Sequence, residues 1–165
     1  MWRKVEAVNN QEAVRFAHAR AAAGVLFFDD AERVLLVRPT YKPYLDIPGG
    51  YVEPGETPYA ACVREVSEEL GIQPTIGRLL VADWAPLAQE GDKVLFVFDG
   101  GILDDEEIKQ IRFADKELSA YEFRRVDELD GLMIERLARR LKAAAIAREQ
   151  GETIYLEHGR TVPAE

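Results

Sequence analysis

The segment from Gly50 to Ile72 constrains this chain more than any other. Thr57 can cap a helix, Pro58 suits its first turn, and Gly71 ends it. Between them Tyr59, Val63, Val66 and Leu70 recur at helical spacing and predict one apolar stripe facing a core. Glu65, Glu68 and Glu69 stand at i, i+3 and i+4, which puts three carboxylates on one face. That face is expected to lie away from the apolar stripe, pointing into a cleft. Like charges at this spacing cost a few tenths of a kcal/mol per pair, and a bound divalent cation reverses the sign. Oxygen-only ligands suit Mg²⁺ or Mn²⁺ rather than zinc, and magnesium commonly bridges carboxylates to substrate phosphates. Gly49 and Gly50 let the backbone approach closely just before the helix, and a glycine carbonyl there can add a metal ligand.

A Glu-Glu pair alone is more simply a solvated helix face. The full pattern is not: Gly50, five residues, Glu56, seven residues, then Arg64, Glu65, Val66, Ser67, Glu68, Glu69, Leu70, Gly71 and Ile72. At background usage of roughly 7% or less per residue type, this many specified positions almost never coincide. The segment resembles the Nudix box, G-x5-E-x7-R-E-U-x-E-E-x-G-U with U aliphatic, at every specified position, and Ile47, Pro48 and Gly49 before it resemble what usually precedes the box.

The resemblance implies the Nudix fold, a mixed β-sheet sandwiched between α-helices. It also implies Mg²⁺-dependent hydrolysis of a phosphoanhydride bond in a nucleoside diphosphate linked to X, by attack of water on phosphorus. By matching position, Glu65, Glu68 and Glu69 are metal-site residues and the Gly49 carbonyl completes the coordination. Glu68 is the first candidate for ligand or base. Arg64 orients the glutamates with Glu56 as its partner. Some members take a general base from a later loop, for which Glu117 is the first candidate here and Glu122 the second; for either, a plain surface charge is the simpler reading. Trp84 and Pro86 give a weak hint of ADP-ribose hydrolysis, since a proline near that place accompanies it in some members. The isomerase branch of the fold needs a cysteine nucleophile in its own context, which is absent here. Complete retention of the glutamates disfavours the alternative, a catalytically inactive nucleotide-binding sensor. Nucleoside triphosphates and nucleotide sugars such as ADP-ribose are the substrate classes to screen first. Dimerisation is common in the family, so a homodimer is one expectation that no residue here fixes.

Outside the box, Arg38, Lys42 and Arg20 flank a proline-rich stretch and can contact phosphate oxygens, although solubility explains them equally. Tyr41, Tyr44 and Tyr51 offer faces for a base or sugar. Cys62, His18 and His158 belong to no motif and read as packing or surface residues.

With 30 acidic and 21 basic residues the net charge is 21 − 30 = −9, which disfavours a general nucleic-acid binder. An anionic substrate would then need a cation to bring it in. The apolar run Ala21–Phe28 is far short of the ~20 residues that span a bilayer, so no membrane association is expected. No apolar stretch follows the basic pair Arg3–Lys4, so a secretory signal is not expected. One cysteine rules out an internal disulfide and fits a cytoplasmic setting.

A single domain over residues 1–165 is expected, with a mixed-sheet α/β or α+β architecture. The strands expected are Ala21–Phe28 and Val34–Val37 as a hairpin, Tyr51–Glu53, Ile76–Ala82, Val94–Phe98 and Tyr121–Val126; Gly100–Asp115 is ambiguous, with a strand around Ile108–Phe113 as one option, and Thr153–Leu156 either adds a strand or packs down. Helices are expected over Gln11–Ala19, through the box, and over Leu132–Arg148. The last could serve as an interaction surface, but its apolar positions read more simply as core.

Overall fold

The computed structural model describes residues 16–114 and 116–163. The expected helix at Gln11–Ala19 lies mostly outside these residues, and Phe16–Ala19 are not helical. The strands are β1 (Arg20–Phe28), β2 (Val34–Pro39), β3 (Gly49–Tyr51), β4 (Leu79–Trp84), β5 (Lys93–Ile102), β6 (Leu118–Arg124), β7 (Ile154–Glu157) and β8 (Arg160–Thr161). The helices are α1 (Pro58–Leu70), α2 (Asp105–Gln110) and α3 (Glu135–Gln150). They form one mixed sheet in the order β6-β2-β1-β5-β4-β7-β8, with β3 also paired to β1.

β1 organises this sheet. It runs parallel to β5 along its whole length, while its other edge takes β3 at Ala22–Gly24 and β2 at Phe28. Its side chains alternate between two cores. Val25 and Phe27 pack with Leu35, Cys62, Val66 and Leu70 on the α1 side. Leu26 and Phe28 pack with Leu36, Leu137 and Leu141 on the α3 side. A strand covered on both faces reads as a continuous apolar run, which is why Ala21–Phe28 shows no alternation. Burying each such side chain contributes roughly 1.5–3 kcal/mol.

The β1–β2 turn is held by one carboxylate. Asp29 accepts from the Ala31 N–H at 3.1 Å, the Arg33 N–H at 2.8 Å and Arg33 Nε at 2.8 Å. Burial raises the Asp29 pKa, but these donors outweigh it and the net shift is downward.

Several elements depart from the sequence reading. The optional strand around Ile108–Phe113 is not there; Asp105–Gln110 is helical. Asp104 caps that helix, accepting from the Glu106 and Glu107 N–H groups, while the Glu107 carboxylate accepts from the Asp104 N–H. This reciprocal capping fixes a helical turn where the apolar residues alone suggested extension. β3 begins two residues before Tyr51–Glu53, β4 begins later than Ile76, and β6 begins before Tyr121. α3 starts at Glu135 rather than Leu132 and runs to Gln150. The Thr153–Leu156 tail does add a strand, as β7 parallel to β4. No helix among the described residues is long and apolar enough to cross a membrane.

The stripe on α1 is also rotated from its expected direction. Tyr59 and Val63 are exposed, and the buried residues are Ala61, Cys62, Val66, Glu69 and Leu70. Tyr59 instead lies across the helix end, donating to the Ile76 carbonyl at 3.0 Å and packing edge-on to Phe98. Small residues at 61 and 62 bring α1 close to the sheet, so the face that carries them, rather than the bulkier stripe, turns inward.

The lowered Asp29 pKa has a definite pH signature. A carboxyl whose folded-state pKa is depressed stabilises the fold above its unfolded pKa, and that stability is lost as pH falls through the folded value. At pH 7, Asp29→Asn should therefore lower stability by about 1–3 kcal/mol. The Tm gap between native protein and variant should narrow as pH falls below the ordinary value of 3.8. A pH-independent gap in thermal unfolding would show that the charge is not responsible.

Candidate active site

Arg64, on α1, gathers the polar groups of the box. Its Nε and one terminal nitrogen donate to the two Glu56 oxygens, each at 3.0 Å, in a fork-to-fork pair. The same terminal nitrogen donates to the Tyr51 carbonyl at 3.1 Å. The other donates to Glu65 at 2.8 Å and Glu68 at 3.0 Å. Arg64 thus ties the loop carrying Glu56 and the end of β3 to two helix carboxylates. It holds the Glu56 carboxyl below the usual range, and Glu56 in turn raises the affinity of Arg64 for its proton. Glu56 also accepts from the Glu53 N–H at 3.0 Å, closing the turn before α1.

Glycine is required at two places here. Gly49 has φ +147°, and a Cβ there would lie 2.3 Å from the Ala23 carbonyl oxygen on β1. A Cβ at Gly50 would lie 2.2 Å from a Glu65 carboxylate oxygen. The absent side chain at Gly50 is the space into which Glu65 fits. Gly71 ends α1 in the left-handed conformation, and its N–H donates to the Ser67 carbonyl.

The three carboxylates do not share one exposed face as expected. Glu68 is exposed and Glu65 half-buried, but Glu69 is buried at 7% exposure and accepts from the Gly49 N–H at 2.8 Å. The rotation of α1 toward its Cys62–Val66 side carries Glu69 inward with it. Glu65 has a raised pKa: burial is the largest cause, Arg64 opposes it, and Glu68 and Glu117 add to it. The loop before β6 thus brings Glu117 into electrostatic reach of Glu65. Glu122 lies on β6 and pairs with Arg38 at 3.7 Å and Arg124 at 3.1 Å.

The donor set can be tested against a divalent cation. All donors are oxygens, and Glu65 is a half-buried carboxylate with Glu68 and Glu117 in electrostatic reach, which suits a hard cation. Among the described residues no group of three or more acidic, His or Cys side chains forms a ready-made metal cage. Magnesium rarely uses one; it typically takes one or two carboxylates and completes its shell with water and phosphate oxygens. The residues fit such a partly supplied site.

A cleft of about 420 Å³ adjoins this network at Gly49 and Gly50. Lys42, Tyr41, Tyr44 and Tyr51 border it, and Arg38 does not. Lys42 pairs with Asp46 and lies 5.4 Å from the ring centres of both Tyr41 and Tyr44. The Tyr51 ring has Arg20 at 5.6 Å and Lys93 at 5.1 Å. Trp84 and Pro86 flank Ala85, which reaches the cleft. His158 lies in the β7–β8 turn with φ 53°, and its N–H donates to the Trp84 carbonyl.

Sequence reasoning missed the cleft floor. Arg140 on α3 is 4% exposed, and its Nε donates to fully buried Asp83 at 2.6 Å. The signal was present: Arg140 occupies the same helical face as Leu137, Leu141 and Ala144, where a charge needs a partner.

A mixed sheet between helices, with a capped glutamate-rich helix beside a cleft, places the chain in the α+β class. The NUDIX domain model matches residues 18–148, and the chain belongs to the Nudix family. Members of that family are hydrolases of phosphoanhydride bonds and generally use divalent metal ions. Over 74 residues, 45% of this chain and 50% of the relative, the chain is 32% identical to a Bacillus subtilis protein named "Putative 8-oxo-dGTP diphosphatase". It is 44% identical over 62 residues to human diphosphoinositol polyphosphate phosphohydrolase 2, covering 37% of this chain and 34% of that one. The chain therefore spans half or less of the curated relatives it matches. The structure of a MutT protein from Methanosarcina mazei Go1 aligns with TM-score 0.65 and 20% identity, over 83% of this chain and 98% of that one, and shares the fold.

Burial pushes the Cys62 thiol up to about 12, with Glu65 and Glu56 adding to the shift. Thiolate is the reactive form, so native protein should resist iodoacetamide at pH 8 while unfolded protein is alkylated fully. Mass spectrometry reads this directly, and fast labelling of the native chain would contradict the buried placement.

Proposed function

We propose that this chain is a Mg²⁺-dependent pyrophosphohydrolase that cleaves a phosphoanhydride bond in a nucleoside diphosphate linked to X. The observation that carries this reading is the Arg64 network, which holds Glu56, Glu65 and Glu68 beside a cleft that opens at Gly49 and Gly50. Glu65, Glu68, Glu69 and the Gly49 carbonyl are the proposed metal-site groups, with Mn²⁺ as an alternative ion. When bound, such a cation neutralises phosphate charge and lowers the pKa of water.

The chain's own residues divide the remaining work. Arg64 fixes the directions of Glu65 and Glu68 through donors that its planar fork cannot easily redirect. Glu68 is exposed toward an incoming substrate and is the first candidate to accept the proton of the attacking water. Glu117 is the second, because its loop reaches the same electrostatic neighbourhood. Glu122 is less suited, being engaged by Arg38 and Arg124. Lys42 and Tyr51 border the space where the rest of the substrate lies. Arg38 is withdrawn from this role, since it reaches toward Glu122 on β6 instead.

The names of the relatives suggest 8-oxo-dGTP, with dGTP beside it, and a diphosphoinositol polyphosphate for a substrate panel, and the resemblance of the box adds ADP-ribose as a nucleotide sugar. Product release from at least one of these should require Mg²⁺ or Mn²⁺ and stop with chelator. Glu68→Gln should lower kcat roughly 10²–10⁴-fold. Its Tm should stay unchanged, because the side chain is exposed. Full activity in that variant would remove Glu68 from the mechanism, and no turnover of any panel member with several metals would overturn the reading.

A further inference from the structure

The cleft floor carries a charge arrangement that phosphoanhydride hydrolysis does not use. Arg136 and Arg140 lie one turn apart on α3, so their side chains share a face, and both border the cleft. Each other cation bordering the cleft is matched: Lys42 by Asp46, Lys93 by Glu90, and Arg140 by Asp83 behind it. Arg136 forms no ion pair among the described residues, and its charge acts unfavourably on Arg140. Arg140 is only partly satisfied. Its Nε is taken by Asp83, but one terminal nitrogen, NH2, is buried with no hydrogen-bond partner. An unpaired guanidinium donor in a dry setting is costly unless an acceptor arrives.

The second acceptor of Asp83 is accounted for as well. Its other oxygen accepts from the Gly159 N–H at 3.0 Å, so Asp83 anchors the β7–β8 turn and holds Arg140 in place. A local excess of positive charge thus persists in a chain whose net charge is −9. Such an excess at the floor of a cleft attracts and orients anions. Burial lowers the proton affinity of Arg140 more than Asp83 restores it, a balance that an incoming anion would shift back.

We infer that the Arg136–Arg140 face of α3 is a subsite for an anionic group, phosphoryl or carboxylate, that the substrate carries in addition to its scissile pyrophosphate. The inference rests on the cleft being the substrate's cleft, as proposed above. The continuity is physical: Gly49 and Gly50 border the cleft on one side and contact Glu69 and Glu65 on the other. A pyrophosphate at the carboxylates can therefore extend a charged substituent toward α3. A neutral sugar or an uncharged base would leave both arginines without an acceptor of matching charge.

Matched pairs of ligands test this by calorimetry, run with Ca²⁺ present and again in excess chelator, with product formation checked in each run; the readout is binding rather than turnover, so failure of the hydrolase reading leaves the result interpretable. UDP-glucuronate and UDP-glucose differ by one carboxylate; NADPH and NADH differ by one phosphate. The native protein should bind the charged member of at least one pair about tenfold more tightly, and which pair responds identifies the anion. Arg136→Gln should abolish that preference with little change in Tm. Because Arg140→Gln alone strands buried Asp83, Asp83→Asn/Arg140→Gln serves as the second variant, and it too should lose the preference. A merely structural role for the arginines would lower Tm and leave the preference intact. Equal binding within both pairs, no binding of the charged members, a preference that survives both variants, or equal weakening of charged and neutral members would each overturn the inference.

Discussion

One guanidinium engages three carboxylates and a backbone carbonyl, and the positions of the remaining site groups follow from it. Arg64 reaches Glu56 in the preceding loop, Tyr51 at the end of β3, and Glu65 and Glu68 on its own helix. Without a central cation these acidic groups would repel one another at close spacing. With it, the loop, the strand and the helix are held in one arrangement. The absence of a side chain at Gly50 then admits the Glu65 carboxylate, and the close pairing of Gly49 with β1 fixes the backbone beside it.

The sheet explains why this arrangement is rigid. β1 is buried on both faces and paired along both edges, so β3 and α1 pack against an element that cannot shift without opening two cores. The same strand separates the carboxylate side from the α3 side. The cleft is bordered by Arg136 and Arg140 of α3 and reaches Gly49 and Gly50, which stand against Glu69 and Glu65 beyond its edge.

Much of α1 was legible because its signals are local. Thr57, Pro58 and Gly71 act within one turn of where they stand, and their caps appear as expected. The direction α1 faces was less legible. Hydrophobicity favoured Tyr59 and Val63, whereas the fit to the sheet depends on how closely small residues such as Ala61 allow the helix to approach. That is a tertiary quantity, and it also turned Glu69 inward. α2 is ambiguous in the sequence for a different reason: its capping pair Asp104 and Glu107 is a local signal set beside apolar residues that also suit a strand. The Asp83–Arg140 pair joins β4 to α3 across a long stretch of sequence, and no spacing rule links them. A charged residue on the inward face of α3 announced that some partner must exist without saying which. Glu117 is singled out by its place before the β6 segment, whereas its electrostatic reach to Glu65 comes from the path of the loop.

The central claim is that the Arg64-held glutamates next to Gly49 bind a divalent cation. Amide resonances of isotope-labelled protein titrated with substoichiometric Mn²⁺ test this locally, since a paramagnetic ion broadens only nearby signals. The account predicts broadening centred on Gly49, Gly50 and Glu65–Glu69, reversed by excess Mg²⁺ and lost in Glu65→Gln/Glu68→Gln. Broadening centred elsewhere, or none at all, would contradict it.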